Sequence, residues 1–382
     1  MVRIGVVGVG IMGSEHAGYL DRGDIAGARL TAVADPDPAR LAWAKTHLDA
    51  NLARFGSAQD LYRSDLCDGV IIAAPHFLHP PLVMEALDHG LHVLSEKPLA
   101  VYTAAAGALG EAARSKGRVF AIMYNQRTNP VYQKIRALIA QGELGEIKRV
   151  SWVVTDWYRP QSYYDLGRWR ATWAGEGGGV LLNQAPHQLD LWQWMFGAMP
   201  VRLRAFMAFG KYHNIEVEDD VTAYAEYANG ATATFITSTG EAPGTNRLEI
   251  AADQGKLVVE DGKITWWKLS IGERQFNREY QGGHGHPEAD MVEIAVPPGE
   301  PNPVHGPETG HRGITQNWVN AIAHGEALLA PGEDGLRGLE LSNAMHLSAW
   351  TDDWVEVPID GERFESLLRQ KMAASRGPHW NL

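Results

Sequence analysis

A single cysteine, Cys67, occurs among 382 residues. That excludes an internal disulfide framework and a cysteine-built metal centre, and it fits a reducing compartment. Any run of about 18 apolar residues, the length a membrane-crossing helix needs, is also lacking. The opening Met1-Val2-Arg3-Ile4-Gly5-Val6-Val7-Gly8 has no basic region ahead of a long apolar segment, so no secretory signal is expected. Together these absences predict a cytoplasmic protein. Positive charge is scarce: 34 Lys and Arg stand against 46 Asp and Glu, a net charge of −12 with His neutral. Nucleic acid and anionic membranes are therefore poor partners. No internal repeat is visible, and 45% hydrophobic with 21% charged residues excludes a disordered or collagen-like chain. At roughly 150 residues per domain, the length implies about two domains.

What is present is an alternation. Residues 3–7, 30–34, 69–73, 92–95 and 119–123 read as short strands buried on both faces, being rich in Val, Ile and Leu. Helical patterns at 11–22, 38–48, 81–89 and 103–115 lie between them. This predicts an α/β unit over 1–125, a doubly wound parallel sheet of the Rossmann type. From 126 to 382 the style changes. A helix is expected over 130–141, a strand over 146–156 and a helix over 180–196 that Pro186 must bend or interrupt. Alternating strands follow at 201–209, 221–227, 231–237, 247–251 and 256–259, with turn signals at Asn229-Gly230 and Asp261-Gly262. That reads as a C-terminal α/β domain on a mostly antiparallel, open-faced sheet. Residues 281–310 read as an extended loop, and helices return at 313–324 and 335–350. Glu216, Glu218, Asp219 and Asp220 read as a solvated turn.

Gly8-Val9-Gly10-Ile11-Met12-Gly13 follows the first strand and opens a helix. Gly8 allows the tight turn, Gly10 the approach of a pyrophosphate, and Gly13 close packing of helix on strand. The helix N-terminus supplies free N–H groups for the phosphates. Asp35 ends the second strand, 22 residues after Gly13. A carboxylate there accepts ribose hydroxyls and repels a 2′-phosphate, which favours NAD over NADP, although Arg40 is close enough to contact a phosphate.

Two further segments complete a pattern. Glu96-Lys97-Pro98 follows the strand over 92–95, and Gly177-Gly178-Gly179 leads through Asn183 to His187 and Asp190. With the glycine fingerprint, these make nearly the whole chain resemble the Gfo/Idh/MocA oxidoreductases, named for glucose–fructose oxidoreductase and inositol dehydrogenase. The resemblance implies Lys97 and His187 as catalytic residues and Pro98 as a cis proline presenting Lys97. Asn183 stands where many members carry Asp, and since an amide cannot serve as a base, proton handling moves to His187 and Lys97. Ala74, Pro75 and His79 resemble the loop beside the nicotinamide ribose. Asn125 and Arg127 resemble the crossing into the second domain, and Trp169-Arg170 a segment near the cofactor amide. Glu96 and Lys97 join the cofactor side, Lys97 matching the family lysine that bridges nicotinamide and substrate. Asn183, Asp190, Arg127, Trp157, Tyr158 and Arg159 are the expected substrate contacts. Members of the family usually pair through the open sheet face, which implies a homodimer or homotetramer.

Read from the residues alone, the chemistry agrees. Oxidising a carbinol needs a base near the hydroxyl with a pKa near working pH. His is suited to that role. Lys97 serves either as base, if burial depresses its pKa, or as a charged donor steadying an alkoxide. His187 and Asp190 lie at i and i+3, so Asp190 can orient the imidazole. Trp157, Tyr158, Tyr163, Tyr164 and Trp169 suit either a sugar face or an interface. Arg159 and Arg168 suit surface ion pairs better than an anionic substituent. His284-Gly285-His286 is too sparse for a metal site, so no metal is expected, and His311 is placed to face the pocket.

Three functions follow. The first is an NAD-dependent dehydrogenase of a secondary hydroxyl on a sugar, inositol or glycoside. The second is an NAD-dependent glycosidase that oxidises C3 transiently, eliminates the aglycone, adds water and restores the hydride, with uronides or sulfoquinovosides as acidic candidates. The third is a sensor that binds dinucleotide without turnover, against which Lys97 and His187 argue.

Overall fold

The computed structural model of the protein describes residues 1–296 and 309–377. The N-terminal apolar runs form β1 (Val2–Val7), β2 (Ala28–Ala34), β3 (Ala53–Phe55), β4 (Gly69–Ile72), β5 (His92–Ser95) and β6 (Phe120–Ile122). They order as β3-β2-β1-β4-β5-β6, and every neighbouring pair is parallel. All four residues of β4 are buried, as expected of a strand covered on both faces. Chain direction across the sheet reverses between β1 and β4, so a crevice opens at their carboxyl ends. The helix expected over 103–115 is two, Thr103–Ala106 and Leu109–Ser115, separated at Gly107, a poor helix former. β3 and the helix Ala58–Tyr62 are too short for a periodic signal.

The second sheet contains β7 (Ile147–Val154), β8 (Arg202–Phe209), β9 (Glu218–Glu226), β10 (Thr232–Ser238), β11 (Asn246–Ala252), β12 (Gly255–Glu260), β13 (Lys263–Leu269), β14 (Ala289–Ile294) and β15 (Val355–Glu356). Its order is β14-β13-β12-β11-β7-β10-β9-β8-β15, antiparallel except for the β7–β10 pair. Side chains alternate across it. On the inner face Phe235 stacks on Trp192 at 5.6 Å, so Trp152 and Trp192 are core residues. Helices Pro130–Ala140, Pro186–Phe196 and Gly335–Thr351 cover this side. The outer face leaves Phe206, Tyr224 and Met291 exposed.

Residues 281–310 are not wholly a loop: β14 falls within them and pairs with β13. Its residues are nearly all exposed, so no alternation marked it. Residues 297–308 of that expected loop lie outside the described residues. After them the chain returns to the first sheet. Helix Gly310–His324 packs there through Trp318, which a Cβ on Gly69 would strike at 2.9 Å. Gln316 exchanges hydrogen bonds with the backbone of Ala26. Among the described residues no helix is long and apolar enough to cross a membrane.

Candidate active site

The crevice begins at the glycine turn. Gly8 has φ +87°, and a Cβ there would lie 2.6 Å from the Ala73 carbonyl oxygen. A Cβ on Gly13 would lie 1.7 Å from Gly8 O. At Gly10 the space is open: nothing stands within 4 Å of a Cβ position. Gly10 caps helix Ile11–Asp21 without a side-chain hydrogen bond, and the N–H groups of Ile11, Met12 and Gly13 have no intrahelical acceptor. A side chain at position 10 would fill this cradle. Asp35 is buried, with Oδ2 accepting from Val9 N at 2.7 Å and Oδ1 from Asp37 N at 2.8 Å. The carboxylate is thus anchored to the glycine turn and retains lone pairs for hydroxyl donors. Arg40 is exposed. This donor set fits a dinucleotide.

Lys97 stands at the end of β5, and its peptide bond to Pro98 is cis. Its Nζ donates to Asn183 O at 2.6 Å, joining the two sheets' loops. Burial lowers the Lys97 pKa, with the carboxylates of Glu96 and Glu176 opposing. Glu96 is buried and meets His16 Nε2 at 2.7 Å. Burial alone would raise its pKa, but the hydrogen bond and charge of His16 carry it down to about 2. Behind it runs a buried chain: His16 Nδ1 to the Tyr19 hydroxyl at 2.6 Å, and that hydroxyl to Thr315 Oγ1 at 2.7 Å. Sequence reasoning missed His16, Tyr19 and Thr315. Their one signal was the i, i+3 spacing of His16 and Tyr19, which places both on one face of the helix Ile11–Asp21.

The second unit delivers Asn183 and His187. Gly177 at φ +86° lies where a Cβ would strike Val101 Cγ1 at 2.3 Å. Gly179 lies where one would sit 2.0 Å from Glu218 O. The turn after them is held by Glu218 Oε1, which accepts from Gly179 N at 2.8 Å and Leu181 N at 3.0 Å. The acidic run is therefore not a solvated turn. Glu218 and Asp219 are fully buried, and Asp219 accepts from the backbone N–H groups of Lys211, Tyr212 and His213. Acid side chains here satisfy amides that the tight turns leave unpaired. The helix begins at Pro186, not at 180, because Pro fits the first helical position. His187 is 8% exposed and its Nδ1 is buried without a hydrogen-bond partner. Burial, then the charge of Lys97, pushes its pKa down to about 3, so the imidazole is neutral.

Asn183 precedes the helix. Its Nδ2 donates to Glu176 Oε1 and its Oδ1 accepts from the Tyr163 hydroxyl at 3.3 Å. Arg170 Nη1 donates to the same hydroxyl at 3.0 Å, and its guanidinium lies over the Tyr163 and Trp169 rings, 4.7 Å from each centroid. The structure thus brings Lys97, Asn183, Tyr163, Arg170 and Glu176 together, with His187 within the field of Lys97. Glu176 was not singled out in the sequence, although it directly precedes the glycine triplet.

Other expected residues stand elsewhere. Arg127 and Asp190 are not substrate contacts: both are 1% exposed and bound to each other, at 2.8 and 2.6 Å. Arg127 also donates to Asp334 at 2.7 Å and to Leu329 O at 3.0 Å. Asp190 accepts from Gln193 and does not orient His187. Opposite charges confined in a dry region pair with each other before anything mobile. His79 is 1% exposed, and its ring nitrogens lie 2.7 Å from Pro98 O and 2.7 Å from Ala74 O. It ties the 74–75 loop to the Lys97-Pro98 turn. Ala74 and Pro75 border the crevice, half-buried. Asn125 meets the His311 ring at 3.3 Å. His311 lies beside His16, so it borders the Glu96 side. Trp157 is half-buried with its indole N–H unpartnered, Arg159 lies over Trp157 and Tyr163, and Tyr158 is exposed. His284 and His286 are exposed, and among the described residues no three His, Cys, Asp or Glu gather as a metal site.

Comparison with known proteins places the chain in a family. Residues 2–124 match the model of an oxidoreductase family with an NAD-binding Rossmann fold, and residues 132–258 match the GFO/IDH/MocA C-terminal domain. The levoglucosan dehydrogenase of Pseudarthrobacter phenanthrenivorans is 25% identical over 94% of this chain and 98% of its own. Inositol 2-dehydrogenase 2 of Paenarthrobacter aurescens is 27% identical over 92% and 97%. The crystal structure of the WlbA dehydrogenase from Bordetella pertussis, in complex with NADH and UDP-GlcNAcA, superposes with a TM-score of 0.77 at 26% identity, covering 94% of this chain and 99% of that one. The chain belongs to the Gfo/Idh/MocA family of NAD-binding oxidoreductases.

Proposed function

We propose that the protein is an NAD-dependent dehydrogenase acting on a secondary hydroxyl of a cyclic sugar or polyol. The observation that carries this reading is the half-buried Lys97, its Nζ fixed on Asn183 O beside the neutral imidazole of His187. Gly8, Gly10, Gly13 and Asp35 would hold the dinucleotide, with Ala74, Pro75, Glu96, Asn125, Trp169 and Arg170 bordering its nicotinamide end. The nicotinamide, when bound, supplies the two-electron acceptor for the carbinol C–H.

The chain's own task is the hydroxyl proton. A pKa of about 3 leaves His187 too weak a base at neutral pH. Burial moves Lys97 from 10.5 towards neutrality. Lys97 therefore takes the hydroxyl proton on Nζ, and His187 holds the same oxygen by a hydrogen bond. Asn183 and Tyr163 bind neighbouring hydroxyls, while Trp157 and Arg159 flank the substrate. The exposed Phe206, Tyr224 and Met291 support assembly of a homodimer or homotetramer through the second sheet.

A redox-neutral glycosidase would use the same residues. The relatives named as levoglucosan and inositol dehydrogenases favour the dehydrogenase. The test mixes the protein with NAD and a panel of levoglucosan, inositols, free sugars and aryl glycosides, following NADH and aglycone together. Stoichiometric NADH is the expected result. Aglycone release with catalytic NAD and no net NADH would establish the glycosidase, and silence in both channels would overturn the reading. On the substrate that responds, kcat/KM is expected to fall as pH drops through the Lys97 ionisation below 10.5.

A further inference from the structure

Asn183 is held at both ends of its amide. Glu176 is 2% exposed, and both its oxygens are occupied: Oε2 accepts from Ala171 N at 2.5 Å and Oε1 from Asn183 Nδ2. At the other end the Tyr163 hydroxyl takes the Arg170 N–H on its oxygen, which leaves its proton to donate to Asn183 Oδ1. Reversing the amide would set Oδ1 against the Glu176 carboxylate, two acceptors facing each other, whereas the Tyr163 hydroxyl can turn to accept as well as donate. Glu176 therefore chooses the orientation. Asn183 itself remains partly exposed, one lone pair and one N–H still free, beside the Lys97 Nζ that its backbone carbonyl holds.

We propose that Glu176 is a positioning residue that locks the Asn183 amide, so that the substrate pocket presents a neutral acceptor and donor of fixed orientation beside Lys97. This rests on the reading of Asn183 as a substrate contact. A hydroxyl that both donates and accepts matches such a pair, whereas a carboxylate on the substrate could use only its N–H. The locked pair thus selects for hydroxyls at that position. The lock has a charge condition. The groups facing Glu176 are the basic Lys97 and Arg170, with Tyr164, the backbone N–H of Ala171 and the Asn183 amide; His76 meets its carbonyl. Burial raises the Glu176 pKa against those bonds and charges. Once protonated, Glu176 becomes a donor on that side and the amide is free to turn. KM should therefore rise as pH falls through the Glu176 ionisation.

The test uses the full-length enzyme, NAD, and levoglucosan or myo-inositol as substrate. E176Q mimics the protonated acid and is expected to raise KM about tenfold, as one misdirected hydrogen bond would. Its NAD affinity should be unchanged and its KM flat with pH. N183D sets two carboxylates in contact, one of which must hold a proton, and its KM should rise steeply with pH. The exchange E176Q/N183D, with an amide at 176 donating to a carboxylate at 183, removes the carboxylate pair, so KM should lose the steep rise with pH seen in N183D and lie below it at high pH. An unchanged KM in E176Q, or a double variant no better than N183D, overturns the lock. An unchanged KM in N183A overturns instead the reading of Asn183 as a substrate contact. A readout independent of turnover is the side-chain amide resonance of Asn183 in selectively labelled protein, assigned by its loss in N183D. It should shift in E176Q, and a resonance that stays in place overturns the lock whether or not either substrate reacts.

Discussion

Two buried clusters of charge stand less than a helix apart, and they differ in one respect. In the first, Arg127 meets Asp190 twice, Asp334 and the Leu329 carbonyl, and Asp190 also accepts from Gln193. In the second, around Lys97, the His187 Nδ1 has no partner and Asn183 keeps spare valence. A saturated cluster holds structure, because its hydrogen bonds and opposite charges offset the desolvation of both ions. An unsaturated one retains capacity for a ligand and costs stability until it binds one. Both contain residues that sequence alone offers as site candidates. Only the count of their bonds tells them apart.

Four measurements sharpen or break that contrast. Removing the amine of the unsaturated cluster, Lys97→Ala, should lower kcat/KM about a thousandfold or more if it both takes the proton and steadies the oxyanion. Thermal stability and NAD affinity should survive, and a loss below tenfold would break the assignment. Arg127→Leu in the saturated cluster should do the opposite. The buried Asp190 and the half-buried Asp334 lose their counter-charge, which should cost about 3–5 kcal/mol of stability in urea denaturation, while activity per folded molecule stays within a factor of about two. Equal effects on rate and stability would erase the distinction between the clusters.

Acid should reveal the neutral imidazole. The folded pKa of His187, about 3, is below its unfolded value of 6.5, so between these the unfolded chain binds the extra proton. Its contribution is fully present above pH 6.5 and is lost as pH falls towards 3. Between pH 7 and pH 5 that loss is about 2 kcal/mol. Denaturant midpoints of wild type and His187→Gln should show the variant less acid-sensitive by that margin, and parallel curves would mean that His187 already charges in the fold. The smallest effect belongs to Arg168, exposed and outside either cluster. Arg168→Ala should leave kcat/KM within a factor of about two, and a larger fall would extend the pocket to that loop.

Much of the site was legible where chemistry is local. The glycine turn, Asp35 and the Glu96-Lys97-Pro98 triplet lie at the ends of short apolar strands, and strand ends are visible in one dimension. The second sheet was legible from Val221 to Val259 because one of its faces is buried and alternation shows. It failed at Ala289–Ile294, where nearly every residue is exposed and no period marks the strand. Glu218 and Asp219 failed for a related reason: as letters they are solvated acids, and only the fold supplies the backbone amides that bury them.

By itself, then, the sequence determined the parallel sheet and the dinucleotide cradle, and its resemblance to a family pointed to Lys97 in the first unit and to Asn183 and His187 in the second. The sheet and the cradle follow from backbone freedom or hydrophobic period within a few residues. Tertiary structure decided which polar groups were already taken. Arg127 is separated by 63 residues from Asp190 and by 207 from Asp334, and the His16–Tyr19–Thr315 chain spans 296 positions between its last two members. Hydrogen bonds act over about 3 Å of space and leave no trace along the chain. Whether a buried acid or imidazole is spent or still available is therefore a property of the packed molecule alone.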